Sequence, residues 1–170
     1  MKYLEDRLAR TRRSALKGEL AREMLRRFGT LRLQVTGHSM LPSVWPGDVL
    51  LIQGCQLGEV SPGDIVLFSR HGRLFAHRVV GRKAELENPR LVTQGDAMST
   101  ADPPIASEEF LGKVSQILYA GKLVAPAATL DWKNKLVASV ARYSTLAARF
   151  LVFLHVSRAN YRKPEVLCSN

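Results

Sequence analysis

The sequence predicts a mainly β protein, an antiparallel or barrel-like β domain with an α-helix on either side. Three observations carry this. Six short runs rich in Val, Leu and Ile follow one another from Leu31: "LRLQV", "DVLLI", "DIVLFS", "LFAHRVV", "PRLVTQ" and "GKVSQILYA". Turn-forming residues divide them at Pro46-Gly47-Asp48, Ser61-Pro62-Gly63-Asp64, His71-Gly72, Asn88-Pro89 and Gly95-Asp96. The two flanking segments repeat their apolar residues at helical spacing instead. Branched and large apolar residues suit a pleated strand, while Gly, Pro and Asp favour turns. Many short strands so divided suggest an antiparallel sheet or a barrel-like β domain, here about Leu31–Val124.

The 170 residues suit one domain with one real core. They divide into a basic amphipathic helix at 1–28, a β domain at 29–125, and a basic amphipathic helix with a tail at 126–170. The first helix is read over residues 2–27, because Leu4, Leu8, Leu16, Leu20 and Met24 recur at multiples of four. Its apolar face drifts around the axis, and Gly18 weakens its middle. Gly29 is placed to end it. After the strands, "APAATLD" (Ala125–Asp131) leads into the last helix. There Lys135, Arg142 and Arg149 stand seven apart and form one cationic line. Val137, Val140, Ala147, Leu151 and Leu154 fall opposite. Such a helix suits a membrane interface, or packing of its apolar face against the rest of the chain.

Charge supports the same division. Lys and Arg exceed Asp and Glu by 25 to 15, a net +10. Residues 1–28 hold nine cations and four anions, and residues 131–170 hold seven and two. The segment between them is neutral, with nine of each. Two basic flanks around a neutral middle point to an anionic partner, a membrane surface or nucleic acid. No signal peptide is visible, because Arg interrupts the first apolar run. "LVASVARYSTLAARFLVFLHV" (Leu136–Val156) is long enough to span, but Arg142 and Arg149 each cost roughly 2.5–3.5 kcal/mol at a membrane centre. It reads as amphipathic, so a cytoplasmic or peripherally membrane-associated protein is expected. Cys55 and Cys168 have no metal-type spacing. With no ligand set and no phosphate-binding loop, no metal and no cofactor are expected.

Chemistry concentrates around "VTGHSMLPSVWPGDVLLI" (Val35–Ile52). A serine hydroxyl is a poor nucleophile until a base takes its proton. Histidine suits that task near neutral pH, and a carboxylate can hold its ring in the useful tautomer. Four histidines are candidates. His155 falls in the last helix, and His71 in a turn. His38 adjoins Ser39, so in an extended chain the two side chains diverge. His77 sits in an apolar strand, where an unpartnered ring is costly, and is the best base on physical grounds. Lys83, six residues further on, competes with it.

Four motifs follow in order: "GHSMLP" with Gly47-Asp48, then "GDIVLF", then His77-Arg78, then "QGDAMSTAD". Together they resemble the type I signal peptidase family, over about residues 33–124. The resemblance implies a serine endopeptidase that cleaves a leader or precursor peptide through an acyl-enzyme. A His before the Arg is similar to the archaeal and endoplasmic-reticulum members, where bacterial ones carry Lys. Carried over, Ser39 is the nucleophile, His77 the general base, and Asp102 the carboxylate that orients it. Asp96 is a second, supporting carboxylate. Arg78 is either the partner of a carboxylate or a surface cation. The backbone N–H of Ser39 would hold the oxyanion, helped by Thr36 or His38. Met40 and Pro42 would lie nearest the substrate, beside a pocket for small side chains. The chain departs from the family in having an Arg-rich segment where a membrane span usually precedes the serine.

Two other readings share the β domain. One is a self-cleaving regulator similar to the LexA-type repressors. A DNA-binding helix-turn-helix needs at least two helices, and only about one precedes the strands. The other is a non-catalytic basic module for anionic lipid or nucleic acid. Scarce aromatics in the strands count against single-strand stacking.

Overall fold

The computed structural model describes residues 16–83 and 89–129. Leu4, Leu8, Asn88, Cys168 and the expected C-terminal helix with His155 lie outside the described residues. Within them stand one helix, α1 (residues 16–28), and seven strands. The strands are β1 (Thr30–Gln34), β2 (Val49–Gln53), β3 (Ile65–Arg70), β4 (Arg73–Lys83), β5 (Arg90–Gln94), β6 (Phe110–Tyr119) and β7 (Lys122–Val124). They form one sheet in the order β1-β2-β6-β3-β4-β5, with β7 paired to β6. Every pairing is antiparallel. The fold is therefore the mainly β architecture the sequence predicts.

Helix α1 ends at Gly29, whose φ of +69° and N–H bond to the Leu25 carbonyl at 2.9 Å make a left-handed cap. Its buried stripe differs from the expected one. Leu16 and Leu20 are 63% and 60% exposed, while Gly18, Ala21 and Leu25 face the sheet. The cause is closeness. A Cβ on Gly18 would lie 2.5 Å from Ser69 Oγ on β3, so at that position the helix approaches the strand too closely for a side chain. Gly18 is thus a contact residue rather than a weak point. The Arg22 guanidinium also donates to the Glu108 carbonyl, which ties the helix to the chain before β6.

β3 holds the two core clusters together. Ile65 and Leu67 point to one side, with Ala21, Leu25, Met40, Leu50 and Ile52. Val66 and Phe68 point to the other, with Leu57, Val79, Leu91, Ile105 and Phe110. A strand buried on both faces reads as a continuous apolar run, as "DIVLFS" does. Each fully buried Leu, Ile or Phe contributes about 1.5–3 kcal/mol.

Turn chemistry sets the register. His71 and Gly72 both have positive φ, at 49° and 73°, and close a two-residue hairpin between Arg70 and Arg73. This is the mirror-image turn that matches strand twist. Ala120 and Gly121, at 48° and 77°, do the same between β6 and β7. β7 was not expected as a separate strand, because its three residues are all exposed and show no alternation. The two Gly-Asp pairs ahead of β2 and β3 are also turns. Asp48 Oδ2 accepts the Trp45 N–H, and Asp64 Oδ2 accepts the Ser61 N–H, both at 2.8 Å. These carboxylates shape the chain rather than the site.

Candidate active site

Ser39 stands in the loop between β1 and β2. Its neighbours hold that loop down. Met40 and Val44 belong to the core, and Leu41, fully buried, packs on Trp45 and Ala97. The Ser39 carbonyl accepts the Ala97 N–H at 2.9 Å, which stitches the loop to the Gly95-Asp96 turn. Gly95 permits this approach. A Cβ there would lie 2.6 Å from the Ser39 oxygen and 3.1 Å from the Ser39 Cβ.

His77 comes from β4, opposite Val66 of β3. Its ring is 4% exposed and lies against Phe68 and Phe75, with centroids 5.9 and 6.0 Å away. Those rings fix its plane. Its two nitrogens are both engaged. Nε2 lies 2.9 Å from Ser39 Oγ, and Nδ1 lies 2.7 Å from Asp102 Oδ2. Serine, imidazole and carboxylate thus stand in one line, from three separate parts of the chain.

The state of the carboxylate decides the tautomer. Burial by itself pushes the Asp102 carboxyl up. Hydrogen bonds from His77 and Thr93, with the charges of His77 and Arg70, outweigh it and hold the group below its ordinary value. Asp102 is therefore an anion near neutral pH and can only accept. Nδ1 carries the proton toward it. In the neutral ring Nε2 is then bare and accepts from the Ser39 hydroxyl. That arrangement can remove a proton from the serine as its oxygen attacks a carbonyl.

Asp96 does not touch this line. It pairs in bidentate fashion with Arg78, Nε to Oδ1 at 2.8 Å and Nη2 to Oδ2 at 2.9 Å. Both residues are 7% exposed, so Arg78 is a buried partner and not a surface cation. Its guanidinium also donates to the carbonyls of Gly63 and Ala127 and to Ser43 Oγ. Asp102, not Asp96, is the carboxylate against the imidazole.

The other expected residues fall as follows. Thr36 and His38 are exposed, Pro42 is half-buried, and the Met40 side chain is 4% exposed within the core. His71 is exposed at its hairpin tip, and Lys83 is exposed at the far end of β4. Two residues of the site escaped the sequence. Thr93, fully buried on β5, donates from Oγ1 to Asp102 Oδ2 at 2.7 Å. A polar residue at an inward position of an apolar strand needs a partner, and that was the available signal. Arg70, at the end of β3, grips Glu109 in bidentate fashion at 2.6 and 2.7 Å. It also donates to the carbonyls of Pro103 and Pro104, at 2.9 and 3.0 Å, which fixes the segment after Asp102.

A family model described as Peptidase S24-like matches residues 13–114. The chain belongs to the Peptidase S24-like family. The matched stretch is more than half of the chain and contains Ser39, His77, Asp96 and Asp102. An S24-like domain sits in the superfamily shared by LexA-type and signal-peptidase-type serine peptidases, which use a Ser-Lys or Ser-His pair. The S24-like chain is accordingly of serine-peptidase type, with no branch of the superfamily singled out. No curated protein matches it in sequence. Among the described residues, no helix is long and apolar enough to cross a membrane. Among them, too, no group of three or more His, Cys, Asp or Glu is disposed to hold a metal ion.

Proposed function

We propose that this S24-like chain is a serine endopeptidase of signal-peptidase type that cleaves a leader or precursor peptide. The observation that carries the reading is the unbroken line from Ser39 Oγ through His77 to Asp102, at 2.9 and 2.7 Å. Ser39 Oγ attacks the scissile carbonyl carbon while its proton passes to His77 Nε2. The tetrahedral oxyanion is held by the Ser39 backbone N–H. The proton then moves from Nε2 to the leaving amine, the peptide bond breaks, and an ester to Ser39 remains. Water gives its proton to Nε2, attacks the ester and releases the acid, with the serine restored. Asp102 keeps Nδ1 protonated and supports the imidazolium in each half-reaction. Asp96 serves this site from a distance, by fixing Arg78 and the turn that holds the Ser39 loop.

The test is labelling by an active-site acylating or phosphonylating reagent, mapped by mass spectrometry. Modification at Ser39, lost in Ser39→Ala and in His77→Ala, supports the reading. Full labelling of a Ser39→Ala chain at another residue overturns it.

A second reading, a self-cleaving regulator of LexA type, draws on the same family match. Incubation of the purified chain separates the two. Self-cleavage within one molecule gives fragments at a rate independent of protein concentration and none from Ser39→Ala. As partner we propose an anionic membrane surface, from the basic flanks. Sedimentation with anionic vesicles but not neutral ones is the expected result. Equal sedimentation with both removes the electrostatic argument.

A further inference from the structure

We propose that Thr93 is a positioning residue for the catalytic line, acting through Asp102. The inference rests on the serine peptidase reading and deepens it. Thr93 holds Asp102 at two points. Its hydroxyl donates to Oδ2 at 2.7 Å, and its backbone carbonyl accepts the Asp102 N–H at 2.7 Å. Oδ2 is also the oxygen that faces His77 Nδ1, so one carboxylate oxygen takes both donors.

The placement follows from strand register. Thr93 pairs with Val79, two residues beyond His77 on the same side of β4. It therefore lies beside His77 under the carboxylate that reaches over both. Leu91, its neighbour on that side of β5, is fully buried in the apolar cluster with Phe68 and Val79. A hydroxyl in such surroundings has a definite donor direction, and the carboxylate oxygen is its acceptor. Asp102 has its own side chain only partly buried, 21% exposed. Without the Thr93 hydroxyl its carboxylate is free to turn toward water, and Nδ1 loses its fixed acceptor. An imidazole without that acceptor is a weaker base, because its cation loses the carboxylate that supports it. The charged groups around this pair are Asp102, His77 and, behind the loop, Arg70.

The experiment uses the full chain and a fluorophosphonate probe, with the second-order rate of Ser39 labelling followed across pH. Thr93→Val keeps the shape and removes the hydroxyl, while Thr93→Ser keeps the hydroxyl. The expected result for Thr93→Val is a fall of roughly 10-fold to 100-fold in rate. The acid limb of its profile moves to lower pH, because the imidazolium loses its carboxylate support, and the low-field proton resonance of Nδ1–H shifts. Thr93→Ser restores all three to near wild type. In an Asp102→Asn background, Thr93→Val adds less than about a twofold effect, because the two residues act as a unit. A purely structural role moves thermal stability but neither the acid limb nor the resonance, and that result overturns the proposal. So do effects of Thr93→Val and Asp102→Asn that simply multiply. A wild-type chain labelled elsewhere than Ser39 overturns the serine peptidase reading itself, which is a different outcome.

Discussion

Replacing Asp96 by Ala removes the carboxylate from a pair whose side chains are 9% and 4% exposed, Arg78 and Asp96 in that order. The guanidinium then sits away from water with its positive charge uncompensated. Breaking a buried pair in this way typically destabilises by about 3–5 kcal/mol, far more than the pair contributes relative to an apolar replacement. Three acceptors remain for Arg78, at Gly63, Ala127 and Ser43, with distances of 2.8, 2.6 and 3.1 Å. They partly solvate the charge, so the low end, about 3 kcal/mol, is expected. Equilibrium urea unfolding, followed by far-ultraviolet circular dichroism, measures it as a lower midpoint with an unchanged slope. Arg78→Met in the same chain removes the stranded charge and recovers part of the loss. The labelling rate at Ser39 falls, because Ala97 of the same turn holds the Ser39 carbonyl. The shape of its pH profile stays, because the His77 nitrogens are engaged by Asp102 and Ser39, while the Asp96 oxygens go to Arg78. A loss under about 1 kcal/mol, the range of exposed pairs, refutes the view that this pair is buried and structural.

Other predictions follow from neighbouring parts of the molecule. Gly95→Ala puts a methyl 2.6 Å from the Ser39 carbonyl oxygen, so labelling drops by at least about 10-fold as the loop moves. Gly112→Ala puts one 2.5 Å from the Gln53 carbonyl, between β6 and β2, and lowers the unfolding midpoint without a matching effect on the labelling profile of the folded fraction. Labelling of the wild type is lost in acid, since a protonated imidazole cannot accept the serine proton. Arg70 holds the Glu109 carboxyl below its ordinary value of 4.5, chiefly by hydrogen bonding. A carboxyl lowered on folding stabilises the protein above that ordinary value and loses this as pH falls through the folded value. Urea midpoints taken from pH 5 downward therefore fall more steeply for wild type than for Glu109→Gln.

The sequence by itself determined the strands, most of their turns and the order of the reactive residues. This is because those features are local. Val66 and Phe68 are apolar next to Ile65 and Leu67, and that run reports a strand covered on both faces whatever its neighbours are. Gly29, Gly47, Gly63 and Gly72 take positive φ, a backbone need that is written in the residue type. What Leu16 and Leu20 face is not local. Their spacing suits a buried stripe, yet the line on the sheet belongs to Gly18, Ala21 and Leu25, with β3 so close at Gly18 that no side chain fits there. The same holds for the two aspartates of "GDAMSTAD". They are six residues apart and chemically identical, so only the fold distinguishes them. The β4 strand sends Arg78 to Asp96 and its neighbour His77 to Asp102, because successive side chains of a strand leave on opposite faces. Thr93 became part of the site for the same reason, through a register with Val79 that no short stretch of sequence encodes.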